Sequence, residues 1–279
     1  MTTTRSDSLG TLLKGAHVEV MPTNGVEEQV KRLAPGATVT VTCSPSKGID
    51  VTLEMAAFLS GLGFNVVPHL AARQISDRNH LSQILDGLSA SGIDSIFVPG
   101  GDVSPPVGDF DSSLQLLQAM SELDHDITRI GVAAYPEGHP FIDDTTLINT
   151  LREKQEFATS CVTQMCFHSE AITNWIEKIR DQDVNLPVRI GLPGAVERKK
   201  LFGFSLRIGV GDSARALVKQ PKVVQKLMAA KSYQPDEIVS HLLDYVDDAW
   251  INIAGLHLYT FNQVQATNDW VESFIKKES

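Results

Sequence analysis

Eight short runs of apolar, β-branched residues, separated by stretches of helical periodicity, constrain this chain most. The runs are His17–Met21, Ala37–Cys43, Phe64–Leu70, Ile93–Val98, Ile127–Ala134, Cys161–Phe167, Pro187–Leu192 and Gly255–Tyr259. Each is near-continuously apolar rather than alternating, the pattern of strands buried on both faces. Between them, apolar residues recur at helical spacing: Leu81, Ile84, Leu85 and Leu88; Leu114, Leu117 and Met120; Ile172, Trp175 and Ile179; Ile238, Leu242 and Tyr245. Val271, Phe274 and Ile275 give a terminal helix its apolar face. Asp50 and Asp77 are predicted N-caps, and Pro235 is placed to open a helix. Eight strand–helix units predict an α/β fold, a (β/α)8 TIM barrel in a single catalytic domain spanning residues 1–279. An open doubly wound sheet is the alternative. One unit is oversized: the segment between Leu192 and Gly255 predicts extra helices between strands 7 and 8.

Composition narrows the function. The chain has 279 residues with 24 Lys plus Arg against 34 Asp plus Glu, a net charge of −10. That balance argues against nucleic acid, whose affinity rests on clustered cations. Three cysteines without metal spacing predict buried, reduced thiols, and no leader or membrane span is legible. A cytoplasmic protein acting on a small molecule, with a homo-oligomer left open, is the expectation.

In such barrels chemistry sits at the C-terminal ends of the strands. There the sequence offers Glu19, Thr42, His69, Gly100-Gly101-Asp102, Tyr135-Pro136-Glu137-Gly138-His139-Pro140, Gln164 with His168, and Tyr259-Thr260-Phe261-Asn262. Glu19 lies inside an apolar strand. It is either an edge-strand carboxylate facing water or a carboxyl held protonated as a general acid. His69 alone reads as a satisfied core histidine before it reads as a ligand. Gly101-Asp102 is a tight turn or a close approach to a flat ligand. The Tyr135–Pro140 run is a rigid loop that also fixes Glu137 and His139. Gly209-Val-Gly-Asp-Ser-Ala-Arg215 is a weak candidate anion turn.

Taken in order, these strand ends resemble the methylenetetrahydrofolate reductase family. The resemblance runs from about Val18 to Gln263 and rests most on Ala134-Tyr-Pro-Glu-Gly-His-Pro140 and Leu258-Tyr-Thr-Phe-Asn262. It implies a barrel that binds FAD and takes electrons from NADH or NADPH. The implied reaction converts 5,10-methylenetetrahydrofolate to 5-methyltetrahydrofolate. By the same resemblance Glu19 is the general acid. Asp102 is a catalytic residue that also contacts flavin and pterin. Thr42, His69, Gly101, Tyr135, His139 and Lys154 hold the flavin, and Gln164 and Tyr259 contact the tetrahydrofolate substrate. No metal is implied. A barrel running in the oxidative direction, or a folate-binding or C1-transfer barrel without flavin, is the alternative. Where the family usually carries Arg before Gly-Asp, this chain has Gly100; Gln263 follows Asn262 where Arg is frequent. Arg73 is a candidate replacement cation.

Overall fold

A computed structural model describes residues 5–207 and 232–278. Seven parallel strands run in sequence: β1 (His17–Val20), β2 (Thr38–Val41), β3 (Asn65–Pro68), β4 (Ser95–Val98), β5 (Arg129–Ala134), β6 (Ser160–Thr163) and β7 (Val188–Pro193). The eighth barrel strand is β10 (Ile253–Tyr259). Their order in the sheet is β3-β2-β1-β10-β7-β6-β5-β4, so β10 lies between β1 and β7. The two ends of the sheet meet through a parallel bridge between His69 and Phe97, and Leu70 N–H donates to Phe97 O at 2.8 Å. The sheet therefore closes, and the (β/α)8 expectation holds over the open alternative.

The helices form for identifiable reasons. In α4 (Arg78–Ala90), Asp77 accepts from His80 N, and Leu81, Ile84, Leu85 and Leu88 are buried, as the periodicity predicts. In α5 (Ser113–Ser121) the buried stripe is Leu116, Leu117 and Met120, so Leu116 takes the place expected of Leu114. In α7 (Ser169–Arg180) Ile172, Trp175, Ile176 and Ile179 face inward. The expected cap at Asp50 is displaced: α3 (Gly48–Gly61) starts earlier, and Asp50 lies in its first turn, where its charge suits the helix dipole. The other long flanking helices are α1 (Arg5–Lys14), α6 (Asp144–Lys154) and α10 (Val264–Glu278), with α1 packed against α10. A short helix, α2 (Val26–Val30), follows β1.

The oversized unit carries more than helices. After β7 come β8 (Val196–Glu197) and α8 (Arg198–Arg207); then β9 (Ser232–Tyr233) pairs antiparallel with β8. Helix α9 (Asp236–Leu242) follows directly after Pro235. The Gly209–Arg215 turn lies outside the described residues. Of the three thiols, Cys161 and Cys166 are buried as predicted, whereas Cys43 is half-buried at the end of β2. Among the described residues no helix is long and apolar enough to cross a membrane.

Candidate functional site

Strand pairing decides which side chains meet inside the barrel. Glu19 is in register with Thr40 on one side and Tyr259 on the other, and His17 with His257. Val18 and Val20 turn outward into the helix layer and are buried there. Period-two alternation then sends His17 and Glu19 inward. The same logic sends His257 and Tyr259 inward from β10, because Leu256 and Leu258 are the buried outward pair.

Glu19 is no edge carboxylate. Its side chain is 13% exposed, and its Oε2 lies 3.0 Å from Nε2 of His257. Nε2 of His69 approaches the same oxygen at 3.8 Å. His257 is 2% exposed, and its ring lies 4.7 Å from that of Tyr259. Burial drives the His69 imidazole down to about 4; nearby Glu19 opposes the shift and His257 adds to it. His69 is therefore neutral near pH 7. It packs on Phe97, centroid to centroid at 4.7 Å. It is buried beside Glu19, and its Nε2 has no hydrogen-bond partner among the described residues.

Tyr259 reaches over β7 to β6, and its hydroxyl donates to Thr163 O at 3.0 Å. Burial, with Glu19 adding to it, pushes the phenol well above its usual range, so it remains a donor. Gly191 gives the ring its space, since a Cβ there would sit 2.7 Å from the ring and 2.3 Å from Thr163 O. Thr260 fixes the backbone of the acid, its hydroxyl donating to Glu19 O at 2.6 Å.

A second group lies at the ends of β4 and β5. Gly101 has φ +90°, and a Cβ there would come within 3.1 Å of Ala71 Cβ, so glycine is required. Asp102 is exposed, and its charge acts on both Tyr135 and His139. Burial first, and Asp102 second, push the Tyr135 phenol up. Burial lowers the half-buried His139, and Asp102 opposes it. The two rings meet edge to face at 4.9 Å. Tyr259 senses Tyr135 as well as Glu19, which links the two groups.

The remaining candidates take distinct places. Thr42 N–H donates to Val20 O at 3.0 Å, which ties the end of β2 to β1 beside Glu19. Gln164 continues β6 into the mouth, its N–H donating to Ala134 O at 2.7 Å. Lys154 stands in the last turn of α6, where burial pushes its ammonium down to about 8, against the pull of adjacent Glu153. It has no carboxylate within ion-pair distance among the described residues.

One expectation is corrected. Arg73 is not a spare cation: its Nε donates to Val103 O at 2.7 Å and its Nη1 to Asp111 O at 3.3 Å, which bolts down the loop after β4. Glu137 is committed to backbone donors. Its Oε1 accepts from Phe167 N at 2.8 Å and His168 N at 3.1 Å, just before α7. His257 escaped the sequence reading altogether. The signal was present in Gly255-Leu-His-Leu-Tyr259, where alternation places His257 and Tyr259 on one face.

Comparisons with known proteins agree with the fold. Two solved barrels align over nearly the whole chain. One, assigned as a deoxyribose-phosphate aldolase from Toxoplasma gondii ME49 in its apo form, gives a TM-score of 0.54 at 11% identity. It covers 96% of this chain and 97% of its own. The other, assigned as a lyase/mutase from Burkholderia cenocepacia J2315, gives 0.52 at 12% identity, covering 95% and 84% respectively. At such identities they speak for the fold alone. The methylenetetrahydrofolate reductase family model matches residues 22–274, from just after Glu19 into the last helix. The chain belongs to the methylenetetrahydrofolate reductase family.

Proposed function

We propose that this chain is a flavin-dependent reductase that converts 5,10-methylenetetrahydrofolate to 5-methyltetrahydrofolate, with NAD(P)H as electron source. The observation that carries the proposal is Glu19: a carboxyl inside the barrel mouth, its Oε2 held 3.0 Å from His257 and 3.8 Å from His69. Ring opening of the folate needs a proton delivered to a nitrogen before hydride can reach the methylene carbon. A shielded carboxyl at the barrel mouth suits that task.

Three features of these residues fit a flavin dinucleotide. Gly100, with open space where a Cβ would sit, leaves backbone accessible to a flat ring. Tyr135 and His139 present aromatic edges next to Asp102. Lys154, a half-buried cation with no carboxylate within ion-pair distance among the described residues, is suited to a phosphate. When bound, FAD would supply the two-electron chemistry between NAD(P)H and the methylene carbon. Asp102 would hydrogen-bond the pterin and the edge of the cofactor. Gln164 and Tyr259 would orient the pterin across the mouth. Glu19 would protonate the leaving ring nitrogen, and the carbon that results accepts hydride.

The two half-reactions separate the roles. In Glu19→Gln, folate reduction is expected to fall by about 100-fold or more, while NADH still reduces the flavin at the wild-type rate. Stopped-flow spectra of the flavin read both steps. Equal loss in the two half-reactions would remove Glu19 from the acid role.

A further inference from the structure

The environment of His257 contains an asymmetry. Its Nε2 faces Glu19 Oε2 at 3.0 Å, but its Nδ1 is buried without any hydrogen-bond partner among the described residues. A neutral imidazole carries one donor and one acceptor nitrogen. A proton on Nδ1 would leave a buried donor unpaired and turn a lone pair toward the carboxylate. A proton on Nε2 satisfies both the ring and Glu19, and leaves only an acceptor unmet.

We propose that His257 is the positioning residue of the acid: as the Nε2–H tautomer it occupies Oε2 of Glu19 and so leaves Oε1 as the oxygen that carries and delivers the proton. This rests on the acid role assigned to Glu19 above. Its structural part, the tautomer and the occupied oxygen, stands without that role. Nε2 of His69 lies 3.8 Å from the same oxygen, beyond hydrogen-bond distance, which leaves His257 as the donor to Oε2. The other titratable groups around the pair are His17, in register with His257 from β1; Tyr259 on the same strand; and Arg189 on β7, whose Nη1 donates to Leu256 O at 3.2 Å. Burial and Arg189 hold His17 down to about 2, so it adds no charge near neutral pH.

A donor to a carboxylate favours its charged form, so its removal favours the protonated form. In His257→Phe the Glu19 carboxyl is therefore expected to release its proton at higher pH, by about one unit. His257→Gln, whose amide can still donate, is expected to restore the wild-type value. The measurement is NMR of protein labelled at glutamate carboxyl carbons and histidine nitrogens, with Glu19→Gln identifying the signal. In the wild type, Nδ1 of His257 must appear as the unprotonated nitrogen. A protonated Nδ1, or a Glu19 titration unmoved in His257→Phe, overturns the proposal, and neither readout requires turnover. The alkaline limb of folate reduction in His257→Phe should move up by the same amount. A wild-type protein inactive on folate but with the expected NMR behaviour would instead sink the function proposed above and spare the pairing. If His257→Phe does not fold, the wild-type Nδ1 signal and the His257→Gln titration still decide.

Discussion

Tyr259 can reach over β7 only because residue 191 is glycine. A methyl group there would press on Thr163 O at 2.3 Å, a backbone atom that cannot swing aside. Gly191→Ala is expected to lower stability by about 2–3 kcal/mol and to displace the tyrosine. Urea denaturation measures the first effect. The same scale shows what the chain reveals on inspection and what it conceals. Glu19 is legible because a carboxylate within Val-Glu-Val must be either paired or exposed. His257 is not, because its pairing depends on which strand lies beside β1. That neighbour is β10, more than two hundred positions away, and no local pattern names it. Arg73 illustrates the reverse error: a cation of suitable type and place, already engaged by two carbonyls.

At the level of elements, the loop after β5 acts as a cap for a helix it does not precede. Helix α7 has His168 at its N-cap position, with no side-chain bond there. Glu137 supplies the missing acceptor from the preceding β–α unit, receiving the N–H groups of Phe167 and His168. The Tyr135–Pro140 loop is thereby anchored from its middle, with Tyr135 and His139 on either side of the anchor. Glu137→Ala is expected to cost about 1–3 kcal/mol and to loosen both rings. Thermal unfolding gives the stability change, and faster hydrogen exchange at Phe167 and His168 localises it. The helices themselves were readable from period and caps, as Asp77 and the α4 stripe show. The loop was readable only as rigid, since its partner is fixed by the sheet. The Asp50 displacement has a local cause: Gly48, at φ +78°, begins the helix three residues earlier than a cap at Asp50 implies.

For the whole molecule, the buried histidines make stability depend on acid. His17 and His69 sit at about 2 and about 4, both below the ordinary value of 6.5. Below pH 6.5 the unfolded chain binds protons that the folded one refuses. Their contribution is therefore complete above pH 6.5 and is lost as pH falls toward those values. The slope is on the order of 1.4 kcal/mol per pH unit for each histidine. Urea unfolding free energies between pH 7 and 5 should decline accordingly, and His17→Asn should remove about half of the decline. A flat profile in the wild type would refute this account. The barrel closes twice, at the His69–Phe97 bridge and where β1 meets β10. Asn262 clasps that second closure, accepting from Met21 N at 2.8 Å and donating to Met21 O at 3.0 Å and Thr23 Oγ1 at 2.7 Å. The Glu19–His257 contact crosses it, joining residues 238 positions apart. Contacts of such separation form late in folding. In refolding, far-UV ellipticity should therefore recover before the Glu19–His257 pair exists. A chain stalled with this seam open would hold its helices and most of its sheet, yet lack an oriented proton donor. Under the proposed function it would idle, and catalytic competence would serve as the molecule's own test that assembly is complete.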